Sequence, residues 1–375
     1  MSKGFVFKLR RPAEFEPHYA TWFCWPHASK DWPGRLKAVR RDFLKMVYHL
    51  AEVEVVRLIV QNAEQEKNIR KLLNECGVNI NNVEFLAIKT DRSWLRDNGP
   101  LFMHLEDRGE VDITADYLTK LSDEQKEEKL CSTSDWICRF SFNGWARFSG
   151  WELDSEVPNI VSEKLKIPLI DAVFPDGQRM VLEGGSIDVN GRGSLITTRS
   201  CLLSDGRYAR NPGRDQSEIE LVLEKYLGAK NIIWLNKGLK NDETNGHIDN
   251  ICRFINKDTL ALTITKDQSD ENYQLLEENR ELLENIKLED GQKVKIVFLP
   301  LPQPVFFKGR SLTASYANFY IANGKVIAPV FNVPEDKTAL GILQECFPKR
   351  KVVGINGLNF IIGGGGIHCL AQEEC

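Results

Sequence analysis

The sequence predicts an α/β protein built by repeating one strand–helix–strand unit. Three observations predict it: short β-branched runs alternate with amphipathic stretches from Glu54 onward, the same order returns three more times, and helix starts near 217, 271 and 336 fall 54 and 65 residues apart. EVVRLIV (54–60) is a nearly continuous apolar run of strand length. AEQEKNIRKLLNEC (63–76) has helical spacing and stops at Gly77, and VEFLAIK (83–89) is a second strand. The order recurs as GSLITT, SEIELVLEKYL (217–227) closed by Gly228, and NIIWL. It recurs again as TLALTIT, a helix around 271–287 and KVKIVFL, then as KVIAPVF, a helix around 336–346 and KVVGI. A further amphipathic helix is expected near 35–51, and the opening PAEFEPHYATWFCWPH is aromatic enough to be packed. Residues 105–156 break the rhythm with SDEQKEEK (122–129) and then FSFNGWARFSGWELD (140–154), and read as an insertion. With no Pro- or Gly-rich linker, residues 1–375 are expected to form a single domain.

Composition narrows the function. The chain has 375 residues, 42% of them hydrophobic and 27% charged, which excludes a disordered state. Lys and Arg number 49 against 53 Asp and Glu, a formal charge of −4 without long runs of one sign, which argues against nucleic acid as the main partner, because affinity there rests on a basic face. The first residues have no apolar core of signal-peptide length, and no stretch approaches the ~18–20 apolar residues of a membrane span, so a cytoplasmic protein is expected. The nine cysteines are odd in number, scattered and without a CxxC, which argues against a disulfide framework or a structural zinc site. The remaining question is whether one of them is a nucleophile.

Four glycine-bearing segments at the ends of expected strands combine ionisable groups: WLRDNGP (94–100), LEGGSIDVNG (182–191), NDETNGHIDN (241–250) and GGGGIHC (363–369). Glycine lets backbone approach a ligand closely, although glycine-flanked polar residues also make ordinary turns. Cys369 follows four glycines, a run poor for helix or strand but suited to a thiol beside a substrate; the plainer reading is a buried structural cysteine. If this segment is extended, His368 points away from Cys369 and is packed or supporting. His247 is the better partner. It lies two residues before Asp249, so both emerge on one face of an extended segment, and Asp242, Glu243 and Asp249 favour a raised imidazole pKa suited to a proton donor. Glu183 and Asp97 add two more carboxylates.

Such a set suits a guanidinium group, which is planar, always charged and matched by carboxylates in bidentate fashion. Two carboxylates would clamp it while the thiolate attacks the central carbon perpendicular to the plane, where a side chain in place of the glycines would collide.

At these segments the sequence resembles the agmatine deiminase family, of the Porphyromonas-type peptidylarginine deiminases within the guanidine-modifying (pentein) superfamily. The resemblance spans nearly the whole chain and includes PAEFEPHYATWFCWP, WLRDNGP, FNGW, LEGGSIDVNG, NDETNGHIDN, SYANFYIANG (315–324) and GGGGIHCLAQEE. It implies a five-bladed α/β propeller of pseudo-fivefold ββαβ repeats, with the catalytic loops meeting on the central axis. By the same resemblance Cys369 is the nucleophile, His247 the general acid and base, Asp97 and Asp249 the guanidinium clamp, Glu183 the carboxylate supporting His247, and Trp94 a wall of the pocket. The implied reaction is hydrolysis of agmatine to N-carbamoylputrescine and ammonia through a covalent thiouronium, with no metal or organic cofactor, in a homodimer or larger homo-oligomer. Glu243, four residues before His247, is expected to receive the distal ammonium. One departure concerns Gly366, also assigned to the substrate site: family members usually carry asparagine before the Ile-His-Cys.

A runner-up within the same chemistry is a deiminase of free or peptidyl arginine, for which Arg96 and Arg253 are the candidates to bind a substrate carboxylate. A metal hydrolase using His247, Asp249, His368 and Glu183 leaves Cys369 unexplained and lacks paired histidines at ligand spacing. A non-catalytic binding protein on the same scaffold would not need a nucleophile.

Overall fold

The computed structural model describes residues 6–109 and 135–375; the charged stretch 122–129 and Cys131 lie outside the described residues. The fold is mixed α/β. Strand Ala20–Cys24 leads through helix Leu36–Leu50 to the parallel strand Val55–Val60, and helix Ala63–Glu75 crosses on to Val83–Ala87. Parallel neighbours need such a crossover, and a helix that buries one face against the sheet supplies it. The device recurs four times: Asp135–Arg139 with Leu169–Asp171, Ser194–Thr198 with Asn231–Leu235, Thr259–Ile264 with Lys295–Pro300, and Lys325–Val330 with Lys351–Asn356. Helices Val157–Leu165, Gln216–Leu227, Tyr273–Leu283 and Glu335–Cys346 join them in that order.

Local chemistry explains the helix limits. Asp215 accepts the Glu218 N–H while the Glu218 side chain accepts the Asp215 N–H, satisfying two donors at the start of Gln216–Leu227. Gly228 ends that helix at φ 71°, a left-handed conformation that glycine adopts without strain. Ile219, Val222, Leu223, Tyr226 and Leu227 face inward and pack with Leu195 and Ile170 of the neighbouring strands. Each fully buried large apolar side chain contributes roughly 1.5–3 kcal/mol, so this face, rather than helix propensity, holds the element in place.

One parallel strand in each of these five sheets also has an antiparallel neighbour, Leu101–Gly109, Ile187–Val189, Cys252–Asn256, Tyr320–Ala322 and Ala371–Glu374, while the sheet of Ala20–Cys24 adds Val83–Ala87 as a further parallel strand. Each unit therefore reads ββαβ, and one of the five draws its antiparallel strand from residues 371–374 to pair with residues 20–24. The expected insertion is narrower than 105–156, because residues 101–109 and 135–139 pair within one sheet. Among the described residues, no helix is long and apolar enough to cross a membrane.

The antiparallel strands position the chemistry. Each is preceded, within two to four residues, by a short turn or loop whose polar side chain points into the same buried region: Asp97, Glu183, Asp249, Asn318 and Cys369.

Candidate active site

A cavity of about 520 Å³ is lined by Trp94, Asp97, Trp145, Glu243, glycines 363–365 and Cys369. The glycine run keeps it open. A Cβ on Gly363 would enter the Trp32 indole, Gly364 has φ 95° and abuts the Glu243 carboxylate, and a Cβ on Gly365 would lie 2.6 Å from the Trp94 ring and 3.1 Å from the Cys369 Cβ. Gly366 is buried outside the cavity wall, donates its N–H to Cys369 Sγ at 3.3 Å, and packs its Cα against the Asn318 side chain. The departure at Gly366 thus concerns the surroundings of the Cys369 sulfur.

Cys369 lies in a single helical turn, Ile367–Leu370, where the sequence suggested an extended segment. The strand alternation that set His368 aside does not apply, yet His368 is engaged elsewhere. Its Nδ1 is 2.8 Å from Asp249 Oδ2 and its Nε2 2.8 Å from Glu14 Oε2. His247 and Asp249 also sit in a tight turn, Ile248–Asn250 following His247, rather than along an extended face. The turn still brings both side chains inward, both fully buried.

Gly185 shows how closely the groups converge. A Cβ there would lie 2.7 Å from His247 Nδ1, 2.8 Å from Asp97 Oδ1 and 3.1 Å from Asp249 Oδ2, so glycine is the residue that fits. Asp97 Oδ1 accepts the Gly185 N–H at 3.1 Å and Oδ2 accepts the Trp145 indole N–H at 2.8 Å. Asp249 Oδ1 is buried with no hydrogen-bond partner among the described residues, a costly state that a ligand N–H would relieve. The Cys369 thiol donates toward Asp249 Oδ2 at 3.5 Å.

The electrostatics follow from burial and carboxylate density. Burial, Asp249 and Asp97 together push the Cys369 thiol well above the usual thiol range, opposed by the Gly366 and Asn318 N–H groups. Burial also pushes Asp97 up to about 6, although the neighbouring His247 favours its anion. For His247 burial disfavours the cation, but Asp97, Cys201 and Glu183 outweigh it and raise the imidazole well above its ordinary value. Its nitrogens lie 3.6 Å from Asp97 Oδ1 and 3.5 Å from Glu183 Oε2. Glu183 is buried, yet the Arg210 guanidinium and then His247 hold it at about 2. Burial works against Asp249 as well, and the His368 hydrogen bond and charge carry it below the usual carboxylate range.

The structure therefore gathers Cys369, His247, Asp97, Asp249 and Glu183, with Trp94 and Glu243 in the cavity wall. Glu243 is already paired there with Arg310, at 3.1 Å. Arg96 and Arg253 face away from the cavity lining, buried and matched to Glu14 and Glu373 and to Glu14 and Asp188 respectively. Of the quartet considered for a metal, Asp249 and His368 pair with each other. The donor atoms within 4.8 Å of one another belong instead to Glu183, Cys201 and His247, and Glu183 is bound to Arg210.

Sequence reasoning passed over Trp145, Asn318, Arg210 and Glu14. Trp145 was visible only within FNGW, a segment under strain: Gly144, Trp145 and Ala146 are all left-handed, at φ 65°, 60° and 53°. The two side-chain-bearing residues cost roughly 1–2 kcal/mol each in that conformation. Asn143 Oδ1 accepts the Ala146 N–H at 2.8 Å and braces the turn, which aims the indole at Asp97.

Comparison with known proteins bears on this arrangement. The family model described as Porphyromonas-type peptidyl-arginine deiminase matches residues 10–374. The chain is 34% identical over 389 residues to the agmatine deiminase of Pseudomonas aeruginosa (strain LESB58), spanning 98% of this chain and 95% of that one. It is likewise 34% identical over 386 residues to the agmatine deiminase of Ectopseudomonas mendocina (strain ymp), covering 97% and 94%. Among solved structures, the agmatine deiminase of Enterococcus faecalis superposes with a TM-score of 0.81 at 28% identity, covering 98% and 96% of the two chains. That of C. jejuni superposes at 0.76 and 26%, covering 100% and 98%.

Proposed function

Because this chain belongs to the Porphyromonas-type peptidyl-arginine deiminase family, which its match over residues 10–374 shows, we propose that it hydrolyses agmatine to N-carbamoylputrescine and ammonia. The observation that carries the reading is a thiol 3.5 Å from one oxygen of a buried carboxylate, Asp249, whose other oxygen has no partner among the described residues. A guanidinium seated between Asp97 and Asp249 would satisfy that oxygen and present its carbon to Cys369. Its charge also offsets the carboxylates that disfavour the thiolate, so binding and ionisation of the nucleophile support each other.

The bonds then change in two stages. The Cys369 thiolate adds to the guanidinium carbon, forming a C–S bond and a tetrahedral centre. One nitrogen takes a proton from His247 and leaves as ammonia, and a planar thiouronium remains on the cysteine. Water gives a proton to His247 and adds to the same carbon; the C–S bond breaks and the hydroxyl proton passes to solvent or to the ammonia, releasing the neutral ureido product and the thiolate. Arg210 holds Glu183 ionised behind His247, which keeps the imidazole cationic for the first stage. Trp94 covers the guanidinium plane, and Glu243 receives the distal ammonium in exchange for Arg310. No step in this sequence requires a metal.

The same reading extends to architecture. The five ββαβ units close into a five-bladed propeller within a single catalytic domain, supported by the pairing of residues 371–374 with residues 20–24. A cytoplasmic homodimer or larger homo-oligomer goes with it.

The test is ammonia release from agmatine, free arginine and a blocked arginine peptide, with excess chelator, by the wild type and Cys369→Ala. Release from agmatine, retained in chelator and lost in the variant, is expected. Turnover by Cys369→Ala near the wild-type rate would overturn the mechanism, and preference for either arginine substrate would overturn the assignment of substrate.

A further inference from the structure

Four of the five turns that precede the antiparallel strands carry residues already given roles: Asp97, Glu183, His247 with Asp249, and Cys369. The fifth precedes Tyr320–Ala322 and carries Asn318, which is 3% exposed. Its amide is the hub of the two loops that hold the nucleophile and the clamp. Oδ1 accepts the His368 N–H at 2.9 Å. Nδ2 donates to Asn250 Oδ1 at 3.1 Å and to Cys369 Sγ at 3.4 Å, with the Asp249 carbonyl at 3.5 Å. The orientation is fixed by its neighbours, because His368 N–H can only donate and must face the oxygen.

We propose that Asn318 is the fifth member of the site: its Nδ2 hydrogen bond holds the Cys369 sulfur as a thiolate facing the substrate carbon and ties that sulfur to the Asp249 loop. This inference rests on the reading of Cys369 as the nucleophile. The selectivity for the anion comes from counting donors. As a thiol, Cys369 donates, and Asp249 Oδ2 at 3.5 Å and Asn318 Oδ1 at 3.7 Å are the acceptors present. As a thiolate it only accepts, and among the described residues two N–H groups reach it, Gly366 N and Asn318 Nδ2. Asp249 and Asp97 oppose the charge on the sulfur, and these two donors favour it. An amide at 318 also matches the surroundings: an oxygen is needed toward His368 N–H and a nitrogen toward Asn250 Oδ1, which neither aspartate nor leucine supplies.

The experiment uses Asn318→Leu, which keeps nearly the same volume and removes the donor without adding charge, and Asn318→Ala as a second variant should the first fold poorly. In the absence of substrate, the pH dependence of iodoacetamide alkylation is followed on the Cys369 peptide by mass spectrometry, alongside kcat and KM for agmatine. A hydrogen bond to a charged group is worth about a 10- to 100-fold bias, so the alkylation midpoint should rise by about one pH unit or more and kcat should fall at least about tenfold. KM should change far less, since Asp97 and the Asp249 carboxylate are untouched. An alkylation midpoint equal to the wild type in a folded variant overturns the proposal, even where activity is lost, because a merely structural role would leave the thiol's titration alone. The alkylation readout needs no substrate, so it stands apart from any failure of the agmatine assignment.

Discussion

Replacing Arg210 by methionine would leave the buried Glu183 carboxylate without its main counter-charge. Both side chains are fully excluded from solvent, with Nε 2.9 Å and 3.3 Å from the two carboxylate oxygens. The same guanidinium donates to the Thr244 carbonyl at 2.6 Å and the Tyr208 carbonyl at 3.1 Å, so it also pins the loop that leads to His247. The surroundings hold Glu183 at about 2 instead of 4.5, which at ~1.4 kcal/mol per pH unit favours its ionised form by ~3 kcal/mol. That agrees with the ~3–5 kcal/mol cost of removing one partner from a buried pair. Urea unfolding followed by tryptophan fluorescence should therefore show Arg210→Met destabilised by ~3 kcal/mol at pH 7. The sign with pH is fixed. In the wild type the depressed carboxyl contributes stability above 4.5 that is lost as pH falls through about 2. In the variant the carboxyl is raised, costs stability at neutral pH, and is relieved when it takes up a proton, so the gap between the two proteins narrows from pH 7 to pH 5. A gap below ~0.5 kcal/mol at pH 7, or one that does not change with pH, would refute the reasoning, the latter by showing a packing loss alone.

Two further outcomes are expected. Trp145→Phe keeps the ring and removes the N–H that holds Asp97 Oδ2, so the acid limb of kcat/KM, set by a carboxyl at about 6, should move to higher pH by up to about one unit, with the alkaline plateau of kcat retained; an unmoved limb would show that the indole serves packing only. Glu243→Gln should raise KM for agmatine by up to about fivefold and leave KM for butylguanidine, which has no distal charge, unchanged. Arg310→Ala should do the reverse for agmatine by freeing the carboxylate, and equal effects on both substrates would remove Glu243 from the distal-ammonium role.

What the sequence made legible was chemistry concentrated in short segments. The thiol after four glycines and the carboxylates beside Gly99, Gly184 and Gly185 are residue types whose charge or reactivity needs a reason. The helices with a long apolar face were legible for the same kind of cause, since Gln216–Leu227 carries its capping box and its terminal glycine within the segment itself. The antiparallel strands were not, because Ile187–Val189 and Tyr320–Ala322 are three residues long and too short to show alternation. The unit built on Asp135–Arg139 and Leu169–Asp171 lay partly in the stretch read as an insertion, so the repeat appeared four times rather than five, and without the short antiparallel strands the turn bearing Asn318 had no frame that marked it as equivalent to the others. Asn318 and Trp145 carry no charge and lie among aromatics, and Arg210 acts on a carboxylate 27 residues away. His368 was read through a strand rule that the helical turn Ile367–Leu370 does not obey, although the supporting position expected for it agrees with its contacts to Asp249 and Glu14.

The pairing of residues 371–374 with residues 20–24 sets an order of events during synthesis. The ribosome delivers Trp22 and Phe23 early, and their strand waits with one edge bare until about 350 further residues have been made. Cys369 is made directly ahead of the segment that covers that edge. A chain that lacks this segment also lacks the thiol that the proposed mechanism requires, however well its earlier units have folded. Joining the two ends is also the contact of greatest sequence separation, so its loop-closure entropy falls on the last step. On the proposed mechanism activity waits for that seam to close, and a nascent chain stalled before it has the bare edge most exposed to edge-to-edge association.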